Sequence, residues 1–376
     1  MGHDDCSRPD GVVGDWDRPN AAVLDRARVL LDADRRAVLA TLVDVDGSAY
    51  RRPGAKRLVD PDGTDAGSLT PGCLSAAARR IAGDVLERGE PRTETFDLGG
   101  GESWGLGTGC DGTVEVLFEP LRADLRDPLA ALERGDRCGV LTVLESGSPA
   151  VDVGDRAMID GELTALRGAW PAWLRDRVSE ATPDSGAGTV DVDGPDGAVT
   201  VFSDRLVPSP RLVVFGTGGD VEPIVDLATR AGFRVTVVGV RDGGATPERF
   251  PAAEAVLSAS PGSLVEPVED GAETYALLAT HSAVDDRLAL AELLDTAVPY
   301  VGVVGSRSRF ESLLDALDRS VTAADRDRLY APAGLDIGGD SPQQVALSVV
   351  SELLAVHNDR TPQHLRGRSG PIHDRP

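Results

Sequence analysis

The chain has 376 residues, 62 of them acidic and 38 basic, which gives a formal net charge of −24. This length predicts two or three domains with buried cores. The acidic excess argues against a nucleic-acid partner, because phosphate backbones are bound by basic surfaces. Lys56 is the only lysine. Arginine in place of lysine, together with the acidic excess, favours a halophilic protein whose self-repulsion is screened by salt. The alternative is acidic drift in a GC-rich genome.

The cysteines and the N-terminus predict a cytoplasmic location. Cys6, Cys73, Cys110 and Cys138 contain no CxxC pair, and a chain of this size needs no disulfide staples. The first residues are polar and acidic, without the charged and apolar regions of a signal peptide. No apolar run approaches the length of a membrane span.

The first part of the chain predicts an α/β domain over residues 20–207, after a polar tail at 1–19 that we expect to be disordered. Helices are predicted at 20–36 and from about 74 to 88, and strands at 38–43, 56–59, 114–118, 138–144 and 198–206. Residues 179–197 are rich in Gly, Asp, Pro and Ser, which predicts a loop. No internal repeat is evident. The Pro-Ser-Pro run at 208–210 marks the domain boundary.

Residues 208–358 alternate strand and helix, as a parallel sheet requires. After an opening unit at 211–238, strands are predicted near 254–258, 274–280 and 299–304, and helices near 284–295, 308–318 and 342–357. Ser341 is suited to cap the last helix, with Pro342 at its first position and Gln344 completing a capping box. Residues 359–376 predict a second disordered tail.

The opening unit of this domain resembles a dinucleotide-binding turn with two elements missing. Strand 211–215, the glycines Gly216, Gly218 and Gly219, helix 220–231 and strand 233–238 form a β-turn-α-β unit that places a phosphate on a helix N-terminus. A full fingerprint has a third glycine where Val221 stands, and an acid for the ribose where Gly239 stands. Asp220 and Glu222 would repel a pyrophosphate. The fold signal is therefore strong and the dehydrogenase signal weak.

Several loops of this domain follow strand ends, where ligands bind in open parallel sheets. They are residues 216–219, 239–242, 280–282 and 305–309, joined by 334–339 before the last helix. Arg307 and Arg309 are suited to bidentate contact with a phosphate, although solvated arginines are the plain alternative. Arg241, close to Gly239, fits a phosphate better than a free ribose diol.

His281 gives this domain a second interpretation. It ends an apolar strand and is either a proton donor, an orienting hydrogen-bonding group or a structural histidine. With Arg307 as a substrate clamp, His281 would serve as the acid of an NAD(P)-dependent oxidoreductase. An interaction scaffold with an empty nucleotide-binding fold is a third hypothesis.

The first domain carries weaker signals. Cys73 precedes a helix, where a thiol has a lowered pKa suited to sulfur handling or metal contact; a buried free cysteine is the commoner case. Cys110 lies in a glycine-rich stretch at 105–112, which is otherwise a plain turn. Ser48, Arg52 and Lys56 share one predicted hairpin.

Together these segments resemble the XdhC/CoxI family over about residues 20–358. The most specific stretch is Tyr-Ala-Pro-Ala-Gly-Leu-Asp-Ile-Gly-Gly-Asp-Ser-Pro-Gln-Gln at 330–344, followed by Pro-Tyr-Val-Gly-Val-Val-Gly-Ser-Arg at 299–307 and Ala-Thr-His at 279–281. The turn at 216–223, Gly47-Ser48 with Arg52-Pro-Gly-Ala, and the stretch at 105–112 also match.

The resemblance implies a maturation factor rather than an enzyme. It would bind the molybdenum cofactor, protect it during sulfuration and pass it to a molybdenum hydroxylase apo-enzyme of the xanthine or CO dehydrogenase type. It implies an N-terminal α/β domain, a C-terminal Rossmann-like parallel-sheet domain and a homodimer, with a cysteine desulfurase-type protein as sulfur donor. The implied cofactor-binding residues are Gly216, Gly218, Gly219, Arg241, His281, Gly305, Ser306, Arg307, Asp336, Ser48, Arg52 and Cys73, and Cys73 is also the candidate metal ligand.

The sequence departs from the family pattern at two positions. Ser75 stands where the family usually has a glutamate two residues after the cysteine, which leaves the role of Cys73 open. Gly239 stands where the family usually has an aspartate. Both departures predict altered ligand choice.

Overall fold

The computed structural model describes residues 19–63, 65–70, 74–98, 112–159, 166–181, 186–240, 244–260, 263–266, 268, 271 and 273–367. The chain divides into two compact units, unit 1 up to Pro208 and unit 2 from Ser209. Residues 365–367 form a short 3-10 helix inside the predicted C-terminal tail. No helix in the described ranges combines the length and the apolar character that crossing a membrane requires.

Unit 1 contains two five-stranded antiparallel sheets with helices packed beside them. Its helices are α1 (Asn20–Asp32), α2 (Ser75–Arg88), α3 (Arg126–Glu133) and α4 (Ala172–Ala181), and its strands are β1 (Val38–Asp46), β2 (Lys56–Val59), β3 (Ala66–Gly67), β4 (Arg92–Asp97), β5 (Thr113–Pro120), β6 (Cys138–Ser146), β7 (Arg156–Ile159), β8 (Leu166–Arg167), β9 (Ala187–Asp193) and β10 (Ala198–Leu206). The strand orders are β3-β2-β1-β5-β4 and β8-β7-β6-β10-β9.

These two sheets are structural copies of each other, so the expectation of no internal repeat is wrong. The strand orders are the same, and the registers correspond: Thr41 lies opposite Lys56 on β2, and Thr142 lies opposite Arg156 on β7. β1 and β6 carry a register shift at the same place in each copy. The repeat is not evident from the sequence, because the two sheets share their strand order and register but few of their side chains.

The second copy also contains a strand that composition did not predict. Residues 179–197 were expected to be a loop, yet β9 pairs with β10 over seven residues, from Ala198↔Asp193 to Asp204↔Ala187. The main-chain pairing with β10 supplies the stability that glycine and aspartate lack as intrinsic strand formers.

Reciprocal ion pairs join the two copies. Lys56 Nζ of the first copy lies 2.5 Å from Asp204 Oδ2 of the second, and Arg156 of the second pairs with Glu119 of the first. All four side chains are at least nine-tenths buried. A small apolar cluster of Val43, Leu117, Leu144 and Phe202 takes residues from both copies. Buried charges at equivalent places therefore hold the copies in one arrangement.

Unit 2 is a six-stranded parallel sheet with helices on both faces, which confirms the Rossmann-like prediction. Its strands are β11 (Arg211–Phe215), β12 (Arg234–Val240), β13 (Ala255–Ala259), β14 (Thr274–Leu278), β15 (Tyr300–Val303) and β16 (Leu329–Tyr330), and its helices are α5 (Val221–Arg230), α6 (Ala283–Leu293), α7 (Arg307–Asp315), α8 (Ala323–Asp327) and α9 (Pro342–His357). The sheet order is β13-β12-β11-β14-β15-β16.

Two apolar cores cover the faces of this sheet. One packs α5 and α9 against residues such as Leu212 and Leu277, and the other packs α6 and α7 against residues such as Val213 and Leu278. The alternation of neighbouring residues between faces is that of a strand buried on both sides. The sequence did not predict α8 or the two-residue β16, which are too short to show a pattern.

The start of α9 follows the sequence prediction. The Ser341 side chain accepts a hydrogen bond from the Gln344 backbone, the Gln344 side chain accepts one from the Ser341 backbone, and Pro342 occupies the first helical position. The capping box is thereby confirmed, and it fixes the point at which the segment 331–340 ends and α9 begins.

Candidate functional site

The crevice of unit 2 lies where the strand order of the sheet reverses. β11 and β14 lie side by side, and the chain continues from β11 towards β12 and β13 on one side and from β14 towards β15 and β16 on the other. Such a switch point leaves a gap beyond the carboxyl ends of the two central strands, where open α/β sheets bind ligands. The loops 216–220 and 279–282 form its two sides.

The turn after β11 requires glycine for steric reasons. Gly216 has φ +132°, and a Cβ on it would lie 2.2 Å from the carbonyl oxygen of Ala279 at the end of β14. A Cβ on Gly218 would lie 2.4 Å from Asp220 Oδ1, whereas Gly219 faces open space. Gly216 and Gly218 therefore let the turn lie close to Ala279 and Asp220. Gly219 leaves the N-terminus of α5 accessible to an anion.

A histidine–carboxylate pair bridges the two sides of the crevice. His281 Nε2 lies 2.9 Å from Asp220 Oδ2 and 3.1 Å from Oδ1, and about half of the His281 side chain is exposed. His281 has φ +59°, a left-handed conformation that costs a residue with a Cβ about 1–3 kcal/mol. The sequence predicts His281 at this crevice, but it indicates Asp220 only as a charge that would repel a phosphate.

Asp286 fixes the loop that carries His281. Its carboxylate is fully buried at the start of α6 and accepts a hydrogen bond from Thr280 Oγ1 at 2.6 Å. Arg309 Nη2 reaches the other oxygen at 2.5 Å, and the Ser282 backbone donates to Thr280 Oγ1. Asp286 was missed from the sequence because acids in a first helical turn are common. Arg309 is thus engaged within the protein.

The loop after β15 leaves one arginine accessible. Gly305 has φ +144°, and Ser306 caps α7 by accepting a hydrogen bond from the Arg309 backbone at 3.3 Å. Ser306 Oγ also lies 3.0 Å from Ser308 Oγ. Arg307, the first residue of α7, is exposed, and no carboxylate of the described residues pairs with its guanidinium. Arg307 is therefore the arginine of this loop that a ligand phosphate can reach.

Gly239 stands where dinucleotide-binding proteins carry the acid that holds the ribose, and it has no room for a side chain. A Cβ on Gly239, at the end of β12, would lie 2.5 Å from Ala245 Cβ and 3.3 Å from Thr217 Cγ2. The segment carrying Ala245 is tied down by Arg249, which pairs with Glu222 in the first turn of α5. Arg241 lies outside the described residues. An acid at position 239 would therefore require the segment that carries Ala245 to move.

The two acids of the glycine turn both have cationic or hydrogen-bonding partners. Asp220 contacts His281, and Glu222 lies 3.0 Å from Arg249 Nη2. Because the Arg249 guanidinium compensates the Glu222 carboxylate, the repulsion of a phosphate by Glu222 is weaker than the sequence alone indicates.

Side chains of α9 anchor the segment between β16 and α9 through hydrogen bonds. Glu352 Oε1 accepts hydrogen bonds from the Gly334 backbone and from the Tyr300 hydroxyl, both at 2.8 Å. Burial and the neighbouring Glu352 raise the pKa of Tyr300 well above its usual range, so this hydroxyl keeps its proton. Ser348 and Leu335 exchange hydrogen bonds farther along. Asp336 follows this anchor and is exposed.

In unit 1 the three residues of the predicted hairpin differ in their exposure to solvent. Ser48 is exposed and Arg52 half-buried, while Lys56 is buried in its pair with Asp204 and is not available to a ligand. Asn20 closes the hairpin loop, since its side chain donates to the Gly54 carbonyl at 2.8 Å and accepts from the Lys56 backbone at 3.1 Å.

The neighbourhood of the α2 N-terminus is basic. Ser75, where the family has a glutamate, accepts a hydrogen bond from Arg57 Nη1 at 2.8 Å, and Arg57 also pairs with Asp65. Arg79 reaches the same Asp65 carboxylate at 3.1 Å. Cys73, just before this helix, lies outside the described residues, as does Cys110.

The described residues contain no group of three or more His, Cys, Asp or Glu side chains placed to hold a metal ion. Cys138 is buried, and burial raises the pKa of its thiol to about 11. A thiol with this pKa stays protonated at neutral pH, so Cys138 is a packing residue.

Comparison with known proteins gives a consistent result. Residues 212–353 match the family model described as the XdhC Rossmann domain, and residues 21–97 match that of the XdhC and CoxI family. A Bacillus subtilis protein named as a probable xanthine dehydrogenase subunit is 30% identical over 338 residues, which cover 86% of this chain and 94% of that protein.

Two further similarities bear on the site. The crystal structure of a protein described as a xanthine dehydrogenase from Bacillus halodurans superposes with a TM-score of 0.70 at 30% identity, covering 90% of this chain and 96% of that one. The Escherichia coli molybdenum cofactor insertion chaperone PaoD is 32% identical over 126 residues, covering 31% of this chain and 38% of PaoD.

Proposed function

Because the chain belongs to the XdhC and CoxI family, we propose that it binds the molybdenum cofactor and delivers it to the apo-form of a molybdenum hydroxylase of the xanthine or CO dehydrogenase type. The relative named as a molybdenum cofactor insertion chaperone supports this role for a matching segment. The Bacillus subtilis relative, whose name refers to xanthine dehydrogenase, supports the hydroxylase as the partner.

The observation that carries the proposal is a glycine turn suited to a phosphate, beside a strand end that has no acid for a ribose and no room for one. The Gly216–Gly219 turn and exposed Arg307 offer an accessible helix N-terminus and a guanidinium, which suit a phosphate. Gly239 supplies no carboxylate for an adenosine ribose, and Ala245 leaves no room for a side chain there. The crevice therefore fits a compact phosphorylated heterocycle, as a molybdopterin is, better than NAD(P).

Three groups of unit 2 would hold such a ligand. Backbone N–H groups of the glycine turn and Arg307 would bind its phosphate, and His281 would meet its ring. Gly305 and Ser306 would position Arg307 by starting α7 at the right place, and Asp336 lies on the anchored segment that follows β16. When bound, the cofactor supplies the molybdenum redox centre that the hydroxylase uses. Arg241 stays a predicted phosphate ligand.

Cys73 of unit 1 is the proposed molybdenum or sulfur ligand, because a thiol that precedes a helix is suited to sulfur handling or metal contact. Ser48 and Arg52, on the loop that Asn20 closes, are proposed as polar contacts. A cysteine desulfurase-type sulfur donor and a homodimer are the further partners that this role calls for.

The alternative function, an NAD(P)-dependent oxidoreductase, has less support than cofactor delivery. It needs a nicotinamide dinucleotide whose adenosine ribose is held by an acid at the end of β12, and Gly239 stands there with no room for a side chain. The His281–Asp220 pair would supply an acid, but a pair of this kind serves ligand binding equally well.

Deletion of the gene tests the proposed function. We expect normal amounts of the hydroxylase polypeptide with little activity, because the apo-enzyme would lack its cofactor. Activity should return with the wild-type gene and with Arg326→Ala, which removes an exposed arginine of α8, and should not return with Arg307→Ala. Normal hydroxylase activity in the deletion strain would contradict the proposal.

A further inference from the structure

The Asp220–His281 pair crosses the crevice between the two central strands. Asp220 precedes α5 at the end of the glycine turn, and His281 follows β14, so their contact at 2.9 Å links the two loops that flank the switch point. No glycine fingerprint requires such a pair, and Asp220 has no capping hydrogen bond to its own helix. Its carboxylate is directed to the imidazole instead.

We propose that Asp220 is a positioning residue that holds His281 as the Nε2–H tautomer, so that the unprotonated Nδ1 accepts a hydrogen bond from the ligand of this crevice. A carboxylate on one ring nitrogen keeps the proton there and leaves the other nitrogen as an acceptor. The same division of roles orients the imidazole in carboxylate–histidine pairs of enzymes and metal sites.

The packing of the ring indicates which edge faces the ligand. A Cβ on Gly218 would lie 3.4 Å from both Nε2 and Cδ2 of His281, so this edge of the ring lies against the glycine turn. About half of the side chain is nevertheless exposed. Nδ1 is the ring atom opposite the Nε2–Cδ2 edge, so it lies on the side of the imidazole away from the glycine turn.

The backbone around His281 is built to keep the ring in this place. His281 is one of three residues other than glycine with positive φ among those described. Thr280 and Ser282 on either side of it are hydrogen-bonded to each other, and Thr280 is bonded to fully buried Asp286. A strained conformation held by its neighbours is characteristic of functional positions.

The ligand class follows from the chemistry of an acceptor nitrogen. Nδ1 would select a ligand that presents an N–H, amino or hydroxyl donor close to a phosphate bound at the glycine turn and Arg307. A pterin offers ring N–H and amino donors, so this inference rests on the proposed function and assigns the pterin ring to His281.

The first experiment reads the tautomer directly. The chain has five histidines, and the His281 ring signals in nitrogen–proton correlation spectra of the full-length protein are assigned by their loss in His281→Gln. We expect the neutral His281 ring of the wild type to carry its proton on Nε2 and none on Nδ1. Asp220→Asn should shift this population towards the Nδ1–H form, because an amide can donate to Nε2. An Nδ1–H tautomer in the wild type would overturn the proposal.

The second experiment measures binding of molybdenum cofactor released from a purified molybdoenzyme. Asp220→Asn should bind about tenfold more weakly, the value of one hydrogen bond of ordinary strength. Glu222→Gln is the matched control, because it removes a carboxylate of the same turn that pairs with Arg249 and not with His281. Gly218→Ala should disturb the pair and Gly219→Ala should not.

The outcomes separate this inference from the proposed function. Equal cofactor affinity in wild type and Asp220→Asn would overturn the role of Asp220 and leave the delivery function intact. A wild-type chain that binds no cofactor would contradict the delivery function and would overturn ligand recognition by His281, whatever tautomer its ring shows.

Discussion

A Cβ built on Gly239 would stand 2.5 Å from the Cβ of Ala245. The end of β12 therefore has no room for the acid that would hold the ribose of NAD. We predict that neither NAD nor NADP at millimolar concentration changes the melting temperature. Binding at about 100 times Kd would add about 2.7 kcal/mol to the free energy of unfolding. A rise of several degrees with either dinucleotide would contradict this prediction.

The two arginines of α7 should differ in what they do. Arg309→Ala removes the cation that contacts fully buried Asp286, so we expect a loss of about 2–4 kcal/mol in the free energy of unfolding. Arg307→Ala removes an exposed side chain, and its stability should stay within about 0.5 kcal/mol of the wild type. Urea unfolding at fixed salt measures both. Equal effects of the two substitutions would be inconsistent with the Asp286–Arg309 pair.

The reciprocal ion pairs of unit 1 give a double-mutant prediction. Lys56→Met leaves Asp204 buried without its cation, which should cost about 3–5 kcal/mol in the free energy of unfolding. Combining it with Asp204→Leu should recover most of that loss, because neither charge then remains buried. Urea titrations of the single and double variants give the coupling energy. Additive losses would show that the pair does not act as a unit.

Burial of Cys138 predicts an unreactive thiol. Its pKa of about 11 keeps it protonated at pH 8, so iodoacetamide should label it in denatured protein and not in native protein. Because the folded-state pKa lies above the reference value of 9.0, the unfolded state ionises first as pH rises, and this thiol lowers stability above pH 9. Mass spectrometry of labelled peptides measures the contrast; rapid native labelling of Cys138 would contradict it.

Most of the fold of unit 2 could be predicted from its sequence, because every element except the short α8 and β16 carries a local signal. Apolar runs marked the central strands, and Ser341, Pro342 and Gln344 marked the start of α9. The repeat in unit 1 could not, since it lies in strand order and register, which are non-local. β9 was missed for the same reason, as its stability comes from pairing with β10.

The candidate site was predicted in outline. Strand ends located Gly216, His281 and Arg307 at the crevice, because parallel strands bring their carboxyl ends to one edge of the sheet. Which charges pair there depends on tertiary distances. The sequence therefore could not show that Arg309 contacts Asp286.

The molybdenum and pterin content of the purified protein tests the delivery function most directly. The protein would be prepared without air, in multimolar salt, from a cell that makes the cofactor. We predict a stoichiometric amount of both, lost in Arg307→Ala and retained in Arg326→Ala. A protein free of molybdenum and pterin, above all one that binds NADP instead, would contradict the proposed function.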